Sequence, residues 1–328
     1  MNTYLKINTL RMVLTAVAYT LLPLHVGAQS QWPSRPISIV VPFVPGGSND
    51  NIARVLAAKL SGRLNQPVIV DNKGGGGGTI GTDFVAKSPA DGYTLLFVSG
   101  SVATNVASGK KHPFDLMKDL ESIGGVATTP FVIVVGNAVK ANTLKEFMGL
   151  AAAKPKSLNY GTAGIGAINH LDTELFASAA KVQLTHIPYK GMGPAFTDLM
   201  GSNLQMLLPT LASVTQHIQG GKMRGLAVTS IKRSPFLPEI PTANESGLPG
   251  FELEVWFGLL GPAGMPPDVV KRLNNELNTV LALSDFKAIL AREGATPMPS
   301  TPAEFGNIIR SDIVRWTRLI KETGIQIE

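Results

Sequence analysis

VPFVPGGSND, residues 41–50, joins two segments of contrasting periodicity. The apolar, β-branched run from Ile37 to Val41 before it is typical of a buried strand. The segment after it carries apolar residues at helical spacing, namely Ile52, Val55, Leu56, Leu60 and Leu64. The sequence therefore predicts a strand, a tight loop and a helix.

The predicted loop ends in Ser48, Asn49 and Asp50, three residue types that cap helix N-termini. A helix start presents unpaired backbone N–H groups at the positive end of the helix dipole, which suits an anion such as a carboxylate. We therefore predict that this loop is one half of an anion-binding cleft. An ordinary strand-to-helix connection has the same pattern, so that alternative stays open.

The same layout recurs near the middle of the chain. Leu158 to Tyr160 predicts a short strand, residues 161–169 form a glycine-rich turn, and a helix is expected from His170 to about Ala180. The recurrence predicts a second lobe with a second anion-binding loop. Ligands of open α/β sheets bind at the carboxyl ends of the strands. The loops expected to converge on one cleft are therefore 43–50, 74–81, 99–105, 162–170 and 189–191.

Five consecutive glycines, Gly74 to Gly78, follow the predicted strand at residues 67–72. Such a run cannot form regular structure cheaply, so it predicts a loop that lies close to another group. A phosphate-binding loop would end in Lys followed by Ser or Thr, and a dinucleotide site would carry spaced glycines directly after a strand. Neither pattern is present, so the run does not predict a nucleotide site.

The first residues predict a targeting segment. Lys6 and Arg11 precede an apolar run from Met12 to Leu24, and Val26-Gly27-Ala28 places small residues where a signal peptidase cleaves. We predict a signal peptide over residues 1–28, cleaved after Ala28. An uncleaved N-terminal anchor is the alternative, although the apolar run is shorter than the ~20 residues of a membrane span.

Composition excludes several classes of function. The formal charge is +6, and removal of Lys6 and Arg11 with the leader leaves +4 (6 − 2), which favours small anionic ligands. The sequence contains no run of five basic residues, so it does not predict nucleic-acid binding. The chain has no Cys, the histidines show no metal-ligand spacing, and no serine lies in a nucleophile elbow. We therefore predict no catalytic residue, no metal and no cofactor.

Short motifs occur along nearly the whole chain after residue 28. They are Trp32-Pro33, Arg35-Pro36-Ile37, Val41-Pro42, Pro45-Gly46-Gly47 with Asp50 and Ala53-Arg54, Asp91-Gly92-Tyr93-Thr94-Leu95, Pro188-Tyr189-Lys190-Gly191, Gly221-Lys222 with Arg224, Leu226-Ala227-Val228-Thr229, Pro241-Thr242, and Trp256 with Gly258 and Pro262-Ala263-Gly264. In combination they resemble the Bug family, the periplasmic substrate-binding proteins of tripartite tricarboxylate transporters.

The resemblance implies an α/β fold. It is that of a two-lobed periplasmic binding protein of type II (Venus-flytrap), with a mixed, mostly parallel sheet in each lobe. We expect residues 29–132 and 255–328 to form lobe 1 and residues 133–254 to form lobe 2. Hinge strands are expected near 131–135 and 252–258.

The resemblance also implies a function. A monomeric protein in the periplasm would capture a small organic carboxylate between its lobes and deliver it to the inner-membrane subunits of a tripartite tricarboxylate transporter. A ligand-dependent sensor that presents the closed form to a membrane receptor is the alternative. An exported hydrolase would need a nucleophile and a base, and no such pair is visible. The carboxylate is left open between a dicarboxylate, a tricarboxylate, an aromatic acid and a nicotinate-like compound.

In the Bug family the ligand carboxylate is held largely by backbone groups, hydroxyls and bridging waters, without a dedicated arginine. This pattern implies ligand-binding residues in both lobes of the present chain, and neither predicted loop contains Arg or Lys. The expected residues are Phe43, Pro45, Gly46, Gly47, Ser48, Asp50, Ser99 and Asn105 in the first lobe and Thr162, Ala163, Gly164, Gly166 and Asn169 in the second.

The chain departs from the family at two places. Leu208-Pro209 stands where many members carry Phe-Asp, and residues 106–113 lack the usual Tyr-rich pattern. Three roles stay open between alternatives. Asp50 would bind a ligand amino or hydroxyl group or cap the first helix, and His170 would donate to an anion or pack. Tyr189-Lys190 would close over the ligand or form a turn with a solvated Lys.

Overall fold

The computed structural model describes residues 32–292 and 294–323, and the fold described below starts at Arg35. The predicted signal peptide, residues 1–28, lies outside the described residues. Within the described ranges, no helix is both long and apolar enough to cross a membrane.

The first part of the chain alternates strands and helices. Its elements are β1 (Ile37–Val41), α1 (Ser48–Leu64), β2 (Val68–Asn72), a 3-10 turn (Gly76–Gly78), α2 (Thr79–Ala86), β3 (Thr94–Ser99), α3 (Ser101–Ala107) and β4 (Leu120–Pro130). β1 pairs in parallel with β2 and with β3, as the strand-helix-strand spacing predicts. Ile52, Leu56 and Leu60 are buried at four-residue intervals, so one apolar face of α1 packs toward the core.

The middle of the chain builds a second sheet. Its elements are β5 (Val132–Val135), α4 (Leu144–Ala153), β6 (Asn159–Thr162), α5 (Ile168–Ala180), β7 (Thr185–Pro188), α6 (Met192–Met200), β8 (Met206–Leu207), α7 (Leu211–Gln219) and β9 (Arg224–Val228). The strand order is β7-β6-β8-β5-β9. Val132, Leu199, Leu207 and Val214 belong to a buried cluster that forms the core of this second lobe.

The last part of the chain returns to the first sheet. Its elements are β10 (Glu254–Pro262), α8 (Pro267–Ala282), α9 (Ser284–Arg292), β11 (Thr296–Pro297) and α10 (Pro302–Thr323). The first sheet has the order β11-β4-β10-β3-β1-β2, so β10 lies between β3 and β4. Local sequence signals mark two of these helix starts: α8 has Pro267 in its first turn, and Thr301 exchanges hydrogen bonds with Glu304 before α10.

Both sheets are mixed, as predicted, but parallel pairs are not in the majority. In the first sheet β1 pairs in parallel with two neighbours, and the three pairings of β10 and β11 are antiparallel. In the second sheet β6 makes two parallel pairings and β5 makes two antiparallel ones. The reason is that β5 and β10, the strands beside the crossings between the lobes, run opposite to their neighbours.

The chain passes between the sheets twice, once between Pro130 and Val132 and once between Val228 and Glu254. The buried Thr229 joins the two crossings. Its Oγ1 accepts from the Phe131 backbone N–H at 2.8 Å and donates to the Leu253 carbonyl at 2.6 Å. One side chain therefore ties both connections together.

The sequence did not predict β4 or α3. β4 contains Gly124-Gly125, and glycine has low strand propensity. A Cβ at Gly125 would lie 2.4 Å from Met298 Cε, and one at Gly124 would lie 2.9 Å from Asn274 Nδ2. The glycines let the C-terminal part of the chain pack directly on the strand, which local propensity cannot foresee.

Candidate functional site

A cavity of about 40 Å³, here called the inner cavity, lies between the two lobes. None of its lining side chains is charged. It is lined by Phe43, Ser48, Asn49, Ser99, Ser101, Phe131, Ala163, Ile168, Asn169, Met192, Pro209, Thr210, Ser213, Val255 and Phe257.

Helix starts supply nearly all the polar groups of the inner cavity. Five helices contribute residues of their first turn to the lining. These residues are Ser48 and Asn49 of α1, Ser101 of α3, Ile168 and Asn169 of α5, Met192 of α6 and Ser213 of α7. Thr210, the N-cap of α7, also lines the cavity. The first N–H groups of a helix lack partners within the helix and lie at the positive end of its dipole. The inner cavity is therefore suited to an anion although it contains no cationic side chain.

The polar side chains of the inner cavity are partly satisfied by one another. Asn49 Nδ2 donates to Ser99 Oγ at 3.4 Å, and Thr210 Oγ1 donates to Ser213 Oγ at 3.1 Å. Asn49 Oδ1 is buried and has no hydrogen-bond partner among the described residues. A buried polar atom of this kind is costly unless something pairs with it, so this side chain has capacity left for a ligand or a water.

Asp50 is occupied by the protein rather than directed into the cavity. Its carboxylate accepts from the Gly46 backbone N–H at 3.3 Å and from Asn72 Nδ2 at 3.0 Å, and it pairs with Arg54 at 2.8 Å. The N-cap of α1 is Gly47, and no side chain caps this helix in the predicted manner. Asp50 instead fixes the conformation of the loop that precedes the helix.

His170 packs inside the second lobe, which agrees with the predicted packing role rather than with the role of donor to an anion. Its ring stacks on that of His186 with centroids 4.0 Å apart, and its Nδ1 accepts from the Gly166 backbone N–H at 3.3 Å. Burial, together with the nearby charges of His186 and Lys110, lowers the pKa of His170 to about 3, and burial lowers the pKa of His186 to about 4. Both rings are neutral at pH 7, so neither supplies a cation to the inner cavity.

Loops of the two lobes touch directly around the inner cavity. Thr104 Oγ1 donates to the Gly166 carbonyl at 2.9 Å, and the Ile168 backbone N–H donates to Ser101 Oγ at 3.2 Å. A Cβ on Gly164 would lie only 3.1 Å from Gly77 Cα. The lobes are thus closed on each other, and glycine backbone permits the approach.

A second space of about 740 Å³, here called the outer cavity, lies between the lobes, and Gly77 and Gly164, which approach each other closely, both line it. Asn105 and Gly164 line it, together with Thr79, Tyr189 and Lys190. Tyr189 Oη donates to Asp198 Oδ2 at 2.5 Å, which holds its ring against the second lobe.

The predicted binding residues fall into three groups. Those that line the inner cavity are Phe43, Ser48, Ser99, Ala163 and Asn169. Asn105 and Gly164 line the outer cavity. The others shape the loops between the lobes and line neither cavity, namely Pro45, Gly46, Gly47, Asp50, Thr162 and Gly166.

Several lining residues were not predicted from the sequence. Phe131, Val255 and Phe257 come from the two crossing segments, and Thr210 and Ser213 come from the start of α7. Thr210 is the N-cap of α7, and a Thr before an apolar segment is a helix-start signal that could have pointed to these two residues. Nothing local in the crossing segments marks them as cavity walls.

Another open space of about 680 Å³, larger than the inner cavity, lies between residues 230–236 and the α8–α9 region. Its lining is mainly apolar and includes Arg233, whose guanidinium already pairs with Glu245 at 2.9 Å. Only one helix start, at Leu211, reaches it. Size alone therefore does not identify the functional site, and the convergence of helix starts favours the inner cavity.

Two mixed sheets, two crossings and a cavity between the lobes define a two-lobed α/β binding protein. The match to the family model described as "TctC: Tripartite tricarboxylate transporter family receptor" covers residues 52–325, and the chain belongs to this family. Its members are periplasmic receptors that bind a solute, rather than enzymes.

Relatives agree with this assignment. The chain is 38% identical over 299 residues to Protein BugT of Bordetella pertussis, an alignment that covers 90% of this chain and 92% of BugT. The structure of the periplasmic binding protein BugD superposes with a TM-score of 0.87 at 36% identity and covers 90% of this chain and 99% of BugD. An R. palustris protein with adipate superposes with a TM-score of 0.86 at 32% identity, over 90% of this chain and 99% of that one.

Proposed function

We propose that this protein captures a small organic carboxylate in the inner cavity and closes its two lobes around it. The observation that carries the proposal is the convergence of helix first turns on a cavity whose lining side chains are all uncharged. Backbone N–H groups and hydroxyls there would make charge-assisted hydrogen bonds, each contributing about 1.5–3 kcal/mol. The adipate found with one relative supports a carboxylate as the ligand class.

The expected binding residues that line the inner cavity are the ones proposed to hold the ligand. Ser48, Ser99, Ala163 and Asn169 would contact the ligand directly, and Asn49 would add its unpaired amide oxygen. The amide oxygen and nitrogen of an Asn can exchange places by rotation, so Asn49 can serve either a ligand hydroxyl or a carboxylate.

The family name supports the proposed partners, and the N-terminal sequence pattern supports the proposed location. The protein would be exported with cleavage after Ala28, function as a monomer in the periplasm, and deliver its ligand to the inner-membrane subunits of a tripartite tricarboxylate transporter. Residues 29–132 and 255–328 would move against residues 133–254 about the two crossing segments. Thr229, which ties these segments, would lie on the hinge.

A thermal-unfolding screen over small carboxylates tests the proposal. A ligand at about 100 times its dissociation constant stabilises the folded state by about 2.7 kcal/mol, which raises the midpoint by several degrees. Amides and alcohols with the same carbon skeletons serve as uncharged controls. If no carboxylate raises the midpoint above these controls, the proposal is wrong.

A further inference from the structure

The open space of about 680 Å³ between residues 230–236 and the α8–α9 region is here called the rear cavity. Both lobes line it, with Leu211 and Phe236 from the second lobe and Leu281 and Lys287 from the first. It shares no lining residue with the inner cavity, so the two spaces are separate. Its volume is that of a site for a small organic molecule.

The rear cavity lies on the opposite face of the crossing segments from the inner cavity. Successive side chains of a strand point to opposite faces. Pro130 and Glu254 are paired across β4 and β10, and both line the rear cavity. Their neighbours along the chain, Phe131 and Val255, line the inner cavity. The segments that connect the lobes therefore separate the two spaces.

Each side wall of the rear cavity belongs to one lobe. Residues 230–236 are held to the second lobe, because Arg233 Nε donates to Glu245 at 2.9 Å and Gln219 Nε2 donates to the Phe236 carbonyl at 3.2 Å. The facing wall is formed by α8 and α9 of the first lobe. A hinge rotation that separates the lobes on one face brings them together on the other. Opening of the cleft would therefore narrow the rear cavity, and a molecule inside it would resist opening.

The rear cavity combines a mainly apolar lining with cations from both lobes. Lys232 and Lys287 are exposed, and neither has an ion-pair partner in the described part of the chain. Glu254 is the only acid among the described lining residues, so the lining carries a net positive charge. Apolar surface beside uncompensated lysines suits an organic anion with an apolar body.

We propose that the rear cavity is a second ligand site, which takes a small organic anion with an apolar body and holds the cleft closed while it is occupied. The apolar body would lie against Leu211, Phe236 and Leu281. The anionic group would lie near Lys232 and Lys287. The effect on the cleft rests on the proposed function, because it requires lobes that close on a carboxylate. Each ligand would then raise the affinity of the other by the same factor, since coupling between two binding sites is reciprocal.

A fluorescence titration with 1-anilinonaphthalene-8-sulfonate tests the site. This dye has an aromatic body and one sulfonate, and N-phenyl-1-naphthylamine, which lacks the sulfonate, is the uncharged control. The wild type is expected to bind the sulfonate dye about tenfold more tightly than the control, a difference that shrinks as salt is added. Equal affinity for the two dyes, or no binding of the sulfonate dye, would overturn the site.

Charge-removing variants locate the bound dye. In Lys232→Gln/Lys287→Gln, affinity for the sulfonate dye is expected to fall severalfold, while affinity for the uncharged dye stays the same. Lys110→Gln/Lys111→Gln is the matched control, because it removes the same charge from the lining of the outer cavity. Unchanged affinity in the first variant, or an equal loss in the control, contradicts binding in the rear cavity.

Ala291→Trp tests the coupling to the cleft, because Ala291 lines the rear cavity and the indole would fill part of it. The variant is expected to lose dye binding and to gain severalfold in affinity for the carboxylate selected by the thermal-unfolding screen. Ala288→Trp should change neither affinity, since Ala288 is exposed on the same helix and does not line the cavity. Loss of both affinities, or loss of dye binding with unchanged carboxylate affinity, contradicts the coupling.

The dye experiments also separate this inference from the proposed function. Dye binding that depends on Lys232 and Lys287 in a wild type that binds no carboxylate would support the rear site and contradict the proposed function. Carboxylate binding without any dye binding would leave the proposed function intact and overturn the rear site.

Discussion

Asn49 illustrates how single residues make the inner cavity selective. Its Oδ1 is the only buried side-chain oxygen of the lining without a hydrogen-bond partner among the described residues. A charged residue in its place would need compensation in a cavity of about 40 Å³, where there is little room for water. An amide avoids that cost and still offers a donor and an acceptor.

Asp172 on α5 gives a prediction about pH and stability. It is fully buried, and neither carboxylate oxygen has a hydrogen-bond partner among the described residues. Burial raises the pKa of Asp172 well above 3.8. The charge of Asp312 adds to this increase, and the charge of Arg315 opposes it. Because the unfolded state ionises first, wild-type stability is lost as pH rises from about 4 through the folded pKa, by about 1.4 kcal/mol per pH unit in that interval.

Asp172→Asn is expected to remove that loss. Measured by urea unfolding, the variant should gain stability over the wild type at pH 7 and show little gain at pH 4, where the wild-type carboxyl is neutral. Glu239→Gln is the control, because Glu239 is exposed and the loss of its charge should change stability little at either pH. An equal effect of Asp172→Asn at both pH values would show that ionisation is not the cause.

At the scale of elements, the two glycine loops determine whether helix starts can meet. Gly46 has φ +97°, and a Cβ there would lie 3.3 Å from Gly193 Cα of the other lobe. Gly46 and Gly164 therefore bring α1 and α5 toward each other across the cleft by having no side chain. The same loops hold no Arg or Lys, so anion affinity depends on this close approach.

Gly46→Val is expected to weaken carboxylate binding by about tenfold or more, because the side chain prevents the loops from meeting. Gly247→Val is the matched control: Gly247 has nearly the same φ, +96°, and a Cβ added there would have no neighbouring atom within 4 Å. Both variants carry similar backbone strain of about 1–2 kcal/mol, so calorimetry of both separates strain from lobe contact. Equal affinities in the two variants would contradict a role for Gly46 in closure.

At the scale of the whole molecule, the two crossing segments connect the lobes along the chain. Thr229 joins them through hydrogen bonds to Phe131 and Leu253. The lobes also meet through the loops around the cleft and where α7 packs against α1, α9 and β4. A ligand that bonds to both sets of loops would stabilise the closed arrangement, which is how domain closure is coupled to binding.

Small-angle scattering checks this coupling. The radius of gyration is expected to decrease when a stabilising carboxylate saturates the protein, and Gly46→Val should show a smaller decrease at saturation. Gly247→Val should behave as the wild type. An unchanged radius in the wild type at saturation would contradict closure as the mechanism.

The sequence predicted the elements of the cleft better than its walls. β1, α1, β6 and α5 follow from apolar periodicity and glycine turns that lie within a few residues of each other. β4 was missed because its glycines serve contacts with residues about 150 or more positions away. The walls at Phe131 and Val255 were missed for the same reason, since β10 reaches β3 only through long-range antiparallel pairing.

The sequence by itself determined the two strand–loop–helix segments, the uncharged chemistry of their loops and the family of the protein, because these depend on local patterns and on motifs. Only the tertiary structure decided that five helix starts line one cavity and that lysines from both lobes line a second one behind it. The physical reason is that helix dipoles and lysine charges act through space. Their combined field depends on how the lobes close, which no local pattern encodes.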